Sequence, residues 1–214
     1  MSPQRKLGVA DVKTINVYLL RHGKTVGEPG LYGHTDIVVD DKQQQTICDL
    51  LCEQAIEFEA VESSPLKRCQ DLAHLVSHTH SLEPLITPRW QETFFGDYDG
   101  IPFEKIRSHW QELDAFWASP AEATLPNAEP LEDFYHRIHA AWQAFSHEAE
   151  QNTLIICHGG TIRMILASVL NLDWRNPQLY STLHIAHQSI THIQIIKADK
   201  TYFRVCMIGK TLEG

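Results

Sequence analysis

The chain alternates short apolar runs with longer amphipathic stretches. Asn16 to Leu20 and Leu154 to Cys157 are near-continuous apolar runs of strand length, as expected of strands covered on both faces. Ala60 to Glu62 predicts a further short strand leading into Ser63-Ser64-Pro65. Residues 42–58 place Ile47, Leu50, Leu51 and Ile56 near helical spacing and predict a helix. Pro65 suits the first turn of another helix, running to about His78. Helices are also predicted over 111–118, 131–149 and 161–170, and the segment 119–130, with its three prolines, reads as a loop. Residues 182–196 and 201–208 alternate in polarity and predict two strands that could pair antiparallel. Strands alternating with helices imply a three-layer α/β/α fold with a mostly parallel central sheet between helices. No repeat or linker divides the chain, so residues 1–214 are expected to form one domain.

Composition narrows the function. With 43% hydrophobic and 21% charged residues the sequence is that of an ordinary globular protein, and its net charge of −9 argues against a nucleic-acid partner. An anion site would have to be a local positive pocket in an acidic field. The apolar runs are too short to span a bilayer, and the N-terminus lacks the apolar core of a signal peptide. None of the five cysteines forms a C-x-x-C pair, and Cys48 and Cys52 read as small apolar packing residues. Together these features point to a cytoplasmic protein with reduced thiols. His74, His78 and His80 close a predicted helix, where imidazoles suit the helix dipole better than they make a metal set.

Two strand ends carry chemistry. Arg21-His22-Gly23 follows the first apolar run, with Gly23 read as the residue that lets the chain turn tightly. His158-Gly159-Gly160 follows the later run. Open α/β sheets build their sites at the carboxyl ends of strands, and two such histidines, each followed by glycine, suggest a paired-imidazole site. Arg21-His22-Gly23-x-Thr25 and His158-Gly159-Gly160 resemble the histidine phosphatase superfamily, the group related to cofactor-dependent phosphoglycerate mutase. Gly33-His34-Thr35-Asp36, Ser63-Ser64-Pro65-Leu66-Lys67-Arg68 and the acidic segment Glu92 to Gly100 resemble three further motifs of that group, in its order along the chain.

The resemblance implies a phosphoglycerate mutase-like fold and a phosphohistidine mechanism, and the residue types agree with it. A neutral imidazole, His22, attacks phosphorus. Arg21 and Arg68 clamp the phosphoryl oxygens with permanently charged forks, and His158 adds a donor. Glu92 protonates the leaving oxygen and then activates water, with Glu104 and Glu129 as rival carboxylates. Thr25, Tyr32 and Gly159 are expected to bind substrate, the last at a helix N-terminus. No metal or cofactor is needed when arginines and histidines neutralise the charge. The pattern also departs from the family. Lys24 stands where Glu or Gln is usual, and Glu28 where many relatives have Asn, so the loop must turn that carboxylate outward. Asp40-Asp41-Lys42 lacks a usual Gly, and Ala128-Glu129-Pro130 replaces a common G-E-S segment.

The short interval between Glu92 and His158 resembles the phosphatase branch rather than the longer mutases. The Leu31–His34 and Glu92–Asp97 segments look most like the alpha-ribazole phosphatases of cobalamin assembly. The implied partner is a small phosphate ester, alpha-ribazole 5′-phosphate or its cobalamin-linked form. Hydrolysis of other small phosphate esters, phosphoglycerate mutase activity, and a non-catalytic module that binds a phosphorylated ligand remain as alternatives.

Overall fold

The computed structural model describes residues 12–54 and 56–212. Its strands are β1 (Lys13–Arg21), β2 (Ala60–Ser63), β3 (Pro84–Ile86), β4 (Thr153–Cys157), β5 (Ser189–Lys197) and β6 (Thr201–Thr211). They form one six-stranded sheet in the order β3-β2-β4-β1-β5-β6. The first four run parallel, while β5 lies antiparallel to β1 and β6 antiparallel to β5. The mostly parallel sheet between helical layers is therefore as the sequence predicts.

Strand periodicity explains the layers, because successive side chains point to opposite faces. Ile155 and Cys157 of β4, with Ile15, Val17 and Leu19 of β1, pack against α4 (Leu131–Glu148) and α5 (Gly159–Leu170). Leu154 and Ile156, with Leu20, pack on the other face against α1 (Asp41–Glu53) and α2 (Lys67–His80). A smaller third cluster, around Tyr98, Ile106, Leu113 and Leu125, joins a run of 3-10 turns to α3 (Trp110–Ala118) beside the sheet's carboxyl edge. A one-turn helix, α6 (Gln178–Ser181), follows α5.

Several boundaries differ from the sequence reading. The first helix ends at Glu53 rather than Phe58, and Ala55, inside the predicted span, lies outside the described residues. Ile56 and Phe58 imitate helical spacing but pack onto the α1/α2 core from irregular chain. Pro65 lies before α2, which begins at Lys67 where the Asp36 carboxylate accepts the backbone N–H at 2.6 Å. Residues 182–188 form no strand: β5 begins at Ser189. The helix predicted from Thr161 starts two residues earlier, with both glycines in its first turn. Gly23 has no left-handed backbone. It is required for a different reason, since a Cβ there would meet Ile47 and Val39 at 2.9 Å.

Candidate active site

Sheet order brings the two histidine motifs together. β1 and β4 are parallel neighbours with Arg21 opposite Cys157, and the His22 N–H donates to the Cys157 carbonyl at 3.1 Å. The His22 and His158 rings consequently meet edge-on, 5.2 Å between centroids, and both are buried.

Each imidazole has its tautomer set by its neighbours. His22 Nδ1 lies 2.7 Å from the Gly23 carbonyl, which only accepts, so Nδ1 carries the proton and Nε2 keeps a free lone pair. Burial, then the cations Arg68 and Arg21, hold His22 well below the usual imidazole pKa, keeping it neutral. In His158, Nδ1 accepts from Arg68 Nε at 3.3 Å, so Nε2–H donates to Ser64 Oγ at 2.8 Å. Burial and the same two arginines, together with His22, push its pKa down as well. This Nε2–H is taken by Ser64, and His158 stands outside the lining of the cavities described below.

The two arginines are placed differently. Arg68 is buried, and besides His158 it donates to the carbonyls of Thr35, Tyr32 and Gly33 at 3.0, 3.1 and 2.6 Å. It thus ties the Gly33–Asp36 loop to the second histidine. Arg21 donates through Nη1 to the Ile185 carbonyl, while Nη2 lies 3.0 Å from His187 Nε2 and the buried Nε has no partner. Burial lowers the Arg21 pKa to about 10, still far above neutrality.

Of the three candidate acids, Glu92 is the one at the site. Its Oε2 accepts from the Gly160 N–H at 2.9 Å and its Oε1 from the Thr93 N–H at 3.1 Å. The rivals are held elsewhere: Glu129 pairs with Arg137 at 2.9 Å and Glu104 with Arg107 at 2.6 Å on the surface. Arg137 also donates to the Glu92 carbonyl at 3.3 Å, so Glu129 supports the acid's backbone through Arg137.

A cavity of about 380 Å³ is lined by Arg21, His22, Thr25, Tyr32, Glu92 and His187. Lys24 and Glu28 also line it, both exposed, so the family's departures sit at the rim. The Tyr32 hydroxyl donates to the Glu28 carbonyl at 2.6 Å, and Thr25 bridges to Val39. Gly159, first residue of α5, lies between two guanidinium groups: a Cβ there would stand 3.1 Å from Arg163 Nη1 and 3.4 Å from Arg21 Cζ. Past Glu92 an adjoining cavity of about 240 Å³ is walled by Phe95, Phe116, Trp117 and Tyr180, with Arg163 at its side. A neutral imidazole, an arginine and a carboxyl-bearing residue therefore line one space, with an aromatic chamber beside it. The sequence reading missed His187, which falls in the run misread as strand and carries no motif.

The sequence model of the histidine phosphatase superfamily (branch 1) matches residues 17–206. The chain belongs to this superfamily. The match spans β1 to β6 and contains all five proposed catalytic residues. An adenosylcobalamin/alpha-ribazole phosphatase of Escherichia coli is 28% identical over 167 residues, covering 74% of this chain and 80% of the relative. A broad-specificity phosphatase of Saccharomyces cerevisiae is 27% identical over 214 residues, covering 94% and 88%. Among solved structures, Bacillus stearothermophilus YhfR superposes with a TM-score of 0.80 at 25% identity, covering 92% of this chain and 98% of that one.

Proposed function

We propose that the chain is a cytoplasmic phosphomonoesterase working through a phosphohistidine at His22, with alpha-ribazole 5′-phosphate or its cobalamin-linked form as substrate. The observation that carries the chemistry is the His22 ring: Nδ1–H is held by the Gly23 carbonyl, and the free Nε2 belongs to a ring that lines the same cavity as Arg21 and Glu92. Nε2 attacks phosphorus as the ester P–O bond breaks. Protonated Glu92 gives its proton to the leaving oxygen, releasing the alcohol. Glu92 then takes a proton from water, which attacks the phosphohistidine, breaks the N–P bond and releases inorganic phosphate. Arg21 Nε faces the charge that develops on the phosphoryl oxygens, with Arg68 and His158 behind it.

The finer reading is supported by the cobalamin-pathway relative and by the aromatic chamber, which fits the flat base of alpha-ribazole. A cytoplasmic setting agrees with five free cysteines. The yeast relative favours a second reading, a phosphatase of many small esters.

Phosphate release in the presence of EDTA tests both. The expected result is a kcat/KM for alpha-ribazole 5′-phosphate orders of magnitude above phosphoglycerate, sugar phosphates, nucleotides and a chromogenic ester. A flat profile selects the broad reading, and transfer of phosphate to give an isomeric phosphoglycerate selects a mutase. His22→Ala should abolish turnover and acid-labile phosphate labelling. Retained turnover in that variant overturns the nucleophile, and tight phosphate binding by the wild-type protein without turnover points to a binding module.

A further inference from the structure

The segment just before β5 makes three contacts with the Arg21-His22 pair. The Ile185 carbonyl accepts from Arg21 Nη1, His187 Nε2 lies 3.0 Å from Arg21 Nη2, and the Gln188 N–H donates to the His22 carbonyl at 3.2 Å. Because β5 runs antiparallel to β1, its starting end lies at the carboxyl edge of β1, and the residues leading into it arrive at the site. Gln188 holds a left-handed backbone, φ 49°, which a residue with a Cβ keeps only where its surroundings impose it. Those surroundings are visible. The Gln188 carbonyl accepts from Leu212 N–H at 2.9 Å, and its side chain bonds Gln43 and Leu212 at 3.3 and 3.4 Å.

His187 is the unusual member of this strap. Its ring lines the cavity of about 380 Å³, and its centroid lies 5.5 Å from that of His22. Guanidinium is only a donor, so Nε2 must be the acceptor and the ring must be neutral. With Nη1 held by one carbonyl and Nη2 by this imidazole, both terminal nitrogens of Arg21 are tied to the strap. Nε is the one buried Arg21 nitrogen without a partner.

Resting on the phosphatase reading above, we infer that His187 is a positioning residue for phosphate recognition, holding the Arg21 guanidinium so that its Nε–H is offered to a phosphoryl oxygen. It touches Arg21 rather than the reacting atoms. Its removal should therefore weaken the grip on the phosphoryl group more than it slows the chemical step.

The experiment measures binding of inorganic phosphate by calorimetry, alongside KM and kcat for a chromogenic ester, in wild type, His187→Ala, His187→Asn, Arg21→Lys and the double variant Arg21→Lys/His187→Ala. His187→Ala should weaken phosphate binding and raise KM by about tenfold, with kcat changed much less. His187→Asn, which still presents an acceptor, should recover most of the loss. In the Arg21→Lys background the His187→Ala change should cost little more, since the partner is already gone. Phosphate affinity within twofold of wild type in His187→Ala, or losses that simply add in the double variant, overturns the inference. If His187→Ala does not fold, failure of folded His187→Asn to bind phosphate near the wild-type affinity overturns it as well. Phosphate binding is read without turnover, so a wild type that binds phosphate but neither turns over nor labels His22 sinks the phosphatase reading and leaves the Arg21–His187 test standing.

Discussion

Gly160 stands where α5, the helix that follows His158, meets the acid. Its N–H holds Glu92 Oε2, and a Cβ at this position would lie 2.2 Å from Glu92 Oε1. Gly160→Ala must therefore push the carboxylate away, whereas Gly159→Ala meets only the far ends of two arginines at 3.1 and 3.4 Å. An aryl leaving group needs little protonation and an alkyl one needs it fully. Gly160→Ala should thus lower kcat about tenfold more for alkyl phosphates than for a nitrophenyl ester, and Gly159→Ala should not discriminate. Steady-state kinetics on the two ester types checks this, and equal losses would separate Gly160 from the acid. At this scale the sequence was readable where a residue belonged to a local motif: Arg21, His22, Glu92 and His158 all sit at or beside the site. His187 was unreadable because its partner, Arg21, is 166 positions away and a single histidine in an alternating run looks like any half-buried strand residue.

Between elements, the loop that carries Tyr32 and the acidic segment are stitched by one carboxylate. Asp99 accepts the backbone N–H groups of His34, Thr35 and Phe95 at 2.8, 2.8 and 3.0 Å. Burial alone would raise its pKa, but these bonds and the Thr35 hydroxyl overcome it and hold the group below the usual carboxylate range. Asp99→Ala strands three donors and should destabilise by about 2 kcal/mol, a Tm drop on the order of 6 °C. Calorimetry of the variant checks this, and an unchanged Tm would remove Asp99 from the stitch. Strands and long helices were legible from periodicity, but element ends were not. The α1 terminus at Glu53 has no Gly or Pro to mark it, and Ile56 and Phe58 continue the apolar spacing after the helix has stopped. β3 is three residues long and starts with proline, too little for a pattern.

For the molecule as a whole, buried neutral histidines set the acid limit. His22 and His158 are held well below their ordinary pKa by burial and nearby arginines, and His187 is lowered to about 4 by burial, Arg21 and Lys24. Below the unfolded pKa of about 6.5 the unfolded chain binds protons that the folded chain does not, so stability is full above that pH and falls beneath it. Each fully buried imidazole contributes a slope of about 1.4 kcal/mol per pH unit. Urea midpoints at pH 7.5 and 5.5 should differ by an amount equivalent to roughly 3 kcal/mol, most of it from fully buried His22 and His158 and a smaller share from half-buried His187, and a flat profile would mean these rings charge in place.

The strap before β5 also fixes when the site comes into being. Its groups come from β1, the α2 entry, the acidic segment, the start of α5 and a stretch that follows all of these in the chain. A nascent chain halted at residue 180 would already display every recognisable signature, from Arg21-His22-Gly23 to His158-Gly159-Gly160. It would still lack β5, the antiparallel neighbour of β1, and the carbonyl and imidazole that hold Arg21. Competence at this centre is therefore a late, long-range event of chain closure, of the kind that loop entropy makes slow.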